Sequence, residues 1–337
     1  MTRYFTFIGV TTTRSSIMRI FPRWRDLLQL GDDIAMVGWD LPIHAPRARY
    51  REAVTRLRED PANLGALVTT HKIDLYQAAR DLFEEVDRYA RLCDEVSCIA
   101  KRDGRLLGWA KDPISAGRTL ERIIRPGYFG RTGGEVLCFG AGGSGVAIAL
   151  HLLSRPEPAD RPSRIVVTDR DPERLEGLRA LLARRDAPVH IDYTHSDNPR
   201  VNDGLVARLP PASLVINATG MGKDIPGSPV TDAVAFPRDG IAWELNYRGE
   251  LDFLHQAEAQ REARALRVED GWEYFIFGWT AVMEEVFNRR IPTDQVGALA
   301  DAASFARPTL AGRVQHGHGV GRGTRGRGAG KPWEPSP

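Results

Sequence analysis

Three glycines and one aspartate carry the plainest chemistry in this 337-residue chain. Gly140, Gly142 and Gly145 stand in EVLCFGAGGSGVAIALHLL (135–153), directly after an apolar run that reads as a strand and directly before a helical pattern. Gly140 permits a tight turn, Gly142 lets a pyrophosphate approach the backbone, and Gly145 allows close helix–strand packing. The loop, with Gly143 and Ser144, opens a helix whose free N–H groups and positive dipole end suit phosphates. The next strand, RIVVT, ends at Asp169, a carboxylate able to accept hydrogen bonds from both hydroxyls of an adenine ribose. Together these predict a Rossmann-type dinucleotide site. Asp169 would repel a 2′-phosphate, which favours NAD, whereas Arg170 is able to pair with that phosphate or stack on adenine, which leaves NADP open.

These residues need a parallel sheet to hold them, and the pattern from Gly133 onward supplies one. Apolar runs at 135–139, RIVVTDRD (164–171), VHIDYT (189–194), SLVINATG (213–220) and IAWELNY (241–247) read as strands with helices between. The first third reads differently. YFTFIGV (4–10), DDIAMVGWDL (32–41) and LGALVTT (64–70) are predicted strands, and 73–85 is helical. Residues 94–112 suggest a hairpin turning at Asp103-Gly104, followed by a helix over 113–125 with Pro113 in its first turn. GWEYFIFGWTAVMEEVFNRRIP (271–292) is one long apolar-faced helical segment. The length alone favours two domains.

Composition narrows the class. Hydrophobic residues make up 42% and charged residues 27%, ordinary for a globular protein. No apolar run approaches the ~20 residues of a membrane-spanning helix, and the start, MTRYFTFIGV, does not read as a signal peptide. Cys93, Cys98 and Cys138 make no disulfide framework and no metal-ligand spacing, so a reducing cytoplasm and no metal are expected. The net charge of +2 sits in the tail: 308–337 carries a balance of +4, leaving the rest at −2. The folded body therefore gives no net-charge case for nucleic acid, and the Gly/Arg-rich tail is expected to be disordered.

With these motifs on the page, the order of features resembles the shikimate/quinate dehydrogenases over about residues 5–305. GAGGSG (140–145) resembles the family's glycine loop. TDRDPERL (168–175) stands where NADP-dependent members carry Asn-Arg-Thr. VINATGMG (215–222) resembles the INAT-x-x-G segment that borders the nicotinamide, which would make Asn217, Ala218 and Thr219 cofactor contacts. LVTTHK (67–72), with Thr69, resembles NVTxPxK one residue short and without its proline; Lys72 falls at the catalytic lysine. GWAKDPISAG (108–117) resembles GxNTDxxG, with Asp112 at its aspartate and Ala110 and Lys111 in place of Asn-Thr. DEVSC (94–98) resembles GAVNT, with Ser97 where an asparagine contacts substrate. GVTTTRSSI (9–17) matches GxPxxHSxS, placing Ser15 at the first carboxylate-binding serine and Ile17 at the second. The family's glutamine in the last helix is absent, with Gly278 or Trp279 near its place.

The resemblance implies a fold: an N-terminal α/β substrate-binding domain (1–112, completed by 270–306), a Rossmann-type doubly wound parallel-sheet NAD(P)-binding domain (113–269), and a C-terminal helix returning to the first. It also implies a reaction, reversible hydride transfer between a nicotinamide and a ring hydroxyl or ketone of a shikimate- or quinate-like cyclic acid, by a monomer or homodimer. Lys72 would carry the hydroxyl proton, partial burial lowering its pKa toward working pH, and Asp112 would orient it. Ser15, Thr69 and Ser97 would hold substrate, in a pocket made less polar by Ile17 and Leu67. His71 would contact substrate or serve in packing, and Arg14 and Lys111 would grip a carboxylate or stay solvated. Hinge motion near 113 and 268 is expected. A methylenetetrahydrofolate-type or amino-acid dehydrogenase of related layout, or a non-catalytic NAD(P)-binding sensor, are the alternatives.

Overall fold

A computed structural model describes residues 1–183, 188–223 and 225–308. The Gly/Arg-rich segment from 309 onward, on which the expected disorder falls, lies outside the described residues.

β1 (Arg3–Gly9), β2 (Ile34–Asp40), β3 (Asn63–Val68), β4 (Glu85–Val86), β5 (Cys98–Arg102) and β6 (Arg105–Trp109) form one sheet, in the order β2-β1-β3-β5-β6-β4. β1 lies at its centre between parallel β2 and β3, and both its faces are buried. Successive strand residues point to opposite faces. Phe5 and Phe7 thus enter one core and Ile8 another. The β5–β6 hairpin turns at Asp103 and Gly104, both left-handed (φ 51° and 75°), the backbone that a tight two-residue connection requires.

β7 (Val136–Phe139), β8 (Arg164–Asp169), β9 (His190–His195), β10 (Leu214–Asn217), β11 (Ile241–Glu244) and β12 (Arg267–Glu269) form a second, wholly parallel sheet. Its order, β12-β11-β10-β7-β8-β9, is the doubly wound arrangement with its switch point between β7 and β10. The chain enters this lobe through the helix Asp112–Ile123, whose Ala116, Leu120 and Ile123 are buried beneath the sheet.

It leaves through β12 into the helix Trp272–Val286, which returns to the first sheet. Trp279, Val282 and Met283 share a core with Phe5, Ile20 and Trp24. The indole N–H of Trp24 donates to the Leu299 carbonyl at 2.7 Å, fastening the helices Ile17–Leu27 and Thr293–Ala303 together. No described helix is long and apolar enough to cross a membrane.

Candidate active site

A cleft of about 380 Å³ opens between the carboxyl ends of the two sheets. From the first lobe Thr69, Lys72, Glu95 and Asp112 line it; Gly142, Gly143, Ala218 and Thr219 line it from the second. A smaller recess of about 90 Å³, sharing Leu67, Thr69 and Tyr247, continues it toward Ser15. A further cavity of about 270 Å³ lies over the end of β8, bounded by Gly140, Asp169, Arg170 and Arg174.

Lys72 and Asp112 meet in the main cleft as an ion pair, though 40 residues apart. Their side chains keep 19% and 10% exposure, enough to touch a ligand while largely shielded from water. Lys72 is the first residue of the helix Lys72–Ala79 that follows β3. The strand stops at Val68, two residues before its expected end, because Thr70 adopts a left-handed φ of 59°. A β-branched residue there is strained, and the strain falls in the loop that lacks the family's extra residue and proline. Asp112 opens the helix Asp112–Ile123; Lys111 occupies the cap position, so the Asp112 carboxylate is not the helix cap and turns instead to Lys72.

The electrostatics correct one expectation. Burial does pull Lys72 down, but the carboxylates of Asp112 and Glu95 outweigh it and hold the ammonium above its ordinary pKa. Lys72 is a proton donor at rest. Glu95, 1% exposed, is pushed up to about 8 by burial and by Asp112, against the opposing pull of Lys72. Tyr274, from the returning helix, also lines this cleft; burial and then Asp112 raise its phenol, and its hydroxyl lies 3.1 Å from Ser144 Oγ of the glycine loop.

The expected substrate contacts divide. Ser15 faces the recess, its hydroxyl 3.3 Å from that of Tyr247, and Thr69 lines both spaces. Ser97 lines the cleft while its Oγ accepts the Lys111 N–H at 2.7 Å, fixing the hairpin end that carries Asp112. Leu67 does line the pocket, but Ile17 does not: it is fully buried as the first residue of the helix Ile17–Leu27, inside the first core. Lys111 lines the cleft with its ammonium held 2.6 Å from Glu285, so it grips a carboxylate of its own chain. Arg14 is exposed and lies outside the cleft. His71 serves packing: it is 1% exposed, its Nε2–H donates to the Leu41 carbonyl at 3.0 Å, Nδ1 faces the Tyr50 hydroxyl at 3.2 Å, and burial depresses its pKa. In the helix Trp272–Val286, Tyr274, Phe275, Gly278 and Trp279 wall the cleft, Phe275 and Trp279 also packing into the first core, whereas Trp272 and Phe277 lie in that core alone.

The glycine loop fits a pyrophosphate. Gly140 has φ 105°, and a Cβ there would stand 2.9 Å from the Ala218 carbonyl; at Gly145 it would stand 2.0 Å from the Gly140 carbonyl. At Gly142 the nearest such atom is an Arg174 guanidinium nitrogen at 3.8 Å, leaving the N-terminus of the helix Gly143–Leu153 approachable with no side chain capping it. Asp169 accepts the Ala141 N–H at 2.7 Å and the Asp171 N–H at 2.9 Å, tying the loop to the end of β8. Arg170 is exposed at the cavity's edge. Ala218 and Thr219 line both the main cleft and the β8 cavity.

Asn217 is placed differently from the expectation of a cofactor contact. It is fully buried, donates to Glu244 at 2.6 Å and accepts from Thr219 N and Oγ1 at 3.1 and 2.6 Å, shaping the turn from behind. Glu95, Tyr247 and Arg174 were not singled out from sequence, and Tyr274 was read only as part of an aromatic run able to wall the pocket or to pack in the interface. For Glu95 the signal was present, since DEVSC puts an acid where GAVNT has alanine.

A doubly wound parallel sheet with a glycine loop at its switch point, facing a second α/β lobe that presents a lysine–carboxylate pair, defines a two-lobed protein of the dinucleotide-binding class. No protein-family sequence model matches the chain. Curated relatives do: the shikimate dehydrogenase (NADP(+)) of Symbiobacterium thermophilum is 28% identical over 268 residues, 78% of this chain and 83% of that one. That of Salinibacter ruber is 33% identical over 58% of this chain and 65% of its own length. Among solved structures, shikimate 5-dehydrogenase from Thermus thermophilus, in complex with NADP(H) and shikimate, superposes with a TM-score of 0.63 at 22% identity, covering 90% of this chain and 99% of that one. The chain is thus similar in sequence to shikimate dehydrogenases and shares the fold of their solved structures.

Proposed function

We propose that the chain is an NAD(P)-dependent dehydrogenase that interconverts a ring hydroxyl and ketone on a shikimate- or quinate-like cyclic acid. The observation that carries this reading is the Lys72–Asp112 pair facing the glycine loop across one cleft. A bound nicotinamide coenzyme supplies or takes up the hydride there. Gly140, Gly142, Gly143 and Ser144 would hold its pyrophosphate, and Ala218 and Thr219 would flank the passage between the two cavities that it must span.

The protein's own part is proton management and positioning. Lys72, kept protonated by its neighbours, donates a hydrogen bond and then its proton to the ketone oxygen during reduction. Asp112 fixes the ammonium and is able to accept a hydrogen bond from an adjacent ring hydroxyl. In the oxidative direction the same lysine must first lose a proton, so reduction is the easier direction at neutral pH. Ser15, Thr69 and Tyr247 would receive the acid end in the recess, with Ser97 lining the opposite wall.

For the coenzyme, Asp169 and Asp197 line the β8 cavity and disfavour a 2′-phosphate, which supports NAD, whereas Arg170 and Arg174 line the same cavity and the relatives are named for NADP(+). Asp169→Asn should improve NADP binding relative to NAD; an unchanged ratio in a coenzyme titration would remove this preference. Three unpaired cysteines, two of them buried, fit a reducing cytoplasm. We place the chain there, as a monomer or homodimer without a nucleic-acid partner for its folded body.

The test is turnover of shikimate, quinate and their amino-substituted analogues with NAD and NADP, followed by coenzyme absorbance. Turnover of at least one cyclic acid is expected. Tight coenzyme binding without turnover of any would replace this reading with that of a nucleotide-binding sensor.

A further inference from the structure

Beyond the recess at Ser15 lies another cavity, of about 730 Å³, which shares Val10, Thr11, Lys223 and Arg248 with it. Arg14 and Arg19 line this cavity from the first lobe, Lys223 and Arg248 from the second, and Arg307 from the segment that follows the helix Thr293–Ala303. No carboxylate is among its described lining residues. Elsewhere the chain sets exposed arginines against acids, as in Arg3–Asp33, Arg51–Asp81 and Arg105–Glu85. Here Arg307 is held by Asp270 at 2.5 Å, and Arg19 reaches the Phe305 carbonyl at 3.5 Å. The guanidiniums of Arg14 and Arg248 have no hydrogen-bond or ion-pair partner among the described residues.

Both of these arginines stand on pinned turns. Arg14 closes the short turn Thr12–Arg14, and Thr12 fastens that turn to Asp40 through its N–H at 2.8 Å and its hydroxyl at 2.6 Å. Arg248 precedes Gly249, left-handed at φ 110°, where a Cβ would stand 2.2 Å from the Gly222 carbonyl. The Leu251 N–H bonds that same carbonyl at 3.1 Å, so the turn is locked against the segment that carries Lys223. A concave surface lined by charge of one sign focuses its field on whatever enters. A neutral or cationic ligand would leave the mutual repulsion of these groups in place. An anion relieves it, and planar guanidiniums match phosphate and carboxylate oxygens two at a time.

We infer that this cavity is an anion site, in which Arg14 and Arg248 grip a phosphate or a pair of carboxylates next to the acid end of the substrate. It shares no residue with the β8 cavity, so it is separate from the place of the coenzyme's adenine ribose. Two sources share this chemistry: a substrate whose acid end is extended by further anionic groups, and a separate anion bound beside the substrate. That the substrate's acid end is its neighbour rests on the proposed reading of the recess; the gathering of cations does not.

Calorimetry on the full chain saturated with NAD⁺, which fills the pyrophosphate cradle of the glycine loop, tests this. Inorganic pyrophosphate is the free anion, and shikimate joined through its carboxyl to aspartate is the extended acid, compared with shikimate itself. A gain of about tenfold or more for the conjugate over shikimate assigns the anion to the substrate. Saturable, salt-sensitive pyrophosphate binding without that gain assigns it to a separate ligand. In either case Arg14→Gln and Arg248→Gln, each checked for folding by thermal unfolding, should weaken the effect about tenfold. Arg125→Gln, which alters an exposed arginine outside these cavities, should change it less than about twofold. Neither pyrophosphate binding nor a gain for the conjugate, an effect that Arg14→Gln or Arg248→Gln leaves unmoved, or an equal loss in Arg125→Gln would each overturn the inference. Turnover is read separately. Its absence with every cyclic acid contradicts only the dehydrogenase reading, while turnover of shikimate without anion binding contradicts only this one.

Discussion

Lys72 works in this cleft because its neighbours, and not burial, set its charge. Asp112 and Glu95 hold its pKa up while burial opposes them, so the ammonium persists well past neutrality. Ketone reduction should therefore stay flat with rising pH and fall only when Lys72 loses its proton. Asp112→Asn removes the carboxylate paired with the lysine and leaves Glu95 alone against burial, so the falling limb of the reductive kcat profile should move to lower pH; an unmoved limb would show that Lys72 is not the titrating group. Lys72→Ala should lower kcat by about 10²–10⁴-fold, the usual worth of a positioned proton donor, with coenzyme affinity within about twofold by titration. Near-normal turnover in that variant would reject the assignment. Lys72 and Asp112 were legible only through motif resemblance, because nothing in the sequence between two residues 40 positions apart fixes their approach. Glu95 was visible as a letter but not as a site, since the left-handed Asp94 that turns it inward carries no warning in its sequence.

The best-read elements are those whose signals are local. The glycine loop, the parallel strands around it and the Asp103-Gly104 hairpin each follow from a few adjacent residues. The helix Ile17–Leu27 was hidden by Pro22 in its interior, a residue that ordinarily ends helices, and with it the burial of Ile17 went unread. Asn217 was misplaced for a different reason: its partner Glu244 lies on the neighbouring strand, beyond the reach of a local motif. Within the glycine loop the structure separates two roles. Gly145→Ala would press a methyl onto the Gly140 carbonyl and should cost about 2 kcal/mol or more of stability in urea unfolding. Gly142→Ala meets only the movable end of Arg174, at 3.8 Å, and should leave stability within about 0.5 kcal/mol while weakening coenzyme binding. Equal destabilisation by the two would contradict this division.

At the scale of the molecule, the helix Trp272–Val286 joins the lobes. It shares the first core, yet its Tyr274 meets Ser144 on the glycine loop and its Glu285 holds Lys111 beside Asp112. The two-lobe order was readable from the alternation of strands and helices, but which faces of this helix line the cleft was not: its aromatic run looks equally apolar throughout, and only packing sets Tyr274 on the cleft, Phe275 and Trp279 at the edge where the core meets it, and Phe277 in the core alone. Its double attachment means that any closing of the cleft must carry the proton donor and the nucleotide loop toward each other.

The crystal structure of the chain with coenzyme and a cyclic acid bound measures that relation directly. The reacting ring oxygen should lie within about 3 Å of Lys72 Nζ, with Asp112 alongside and the nicotinamide on the opposite face of the ring carbon. Lys72 and Asp112 turned out of the interlobe gap, or a ring held where neither reaches its oxygen, would contradict the account.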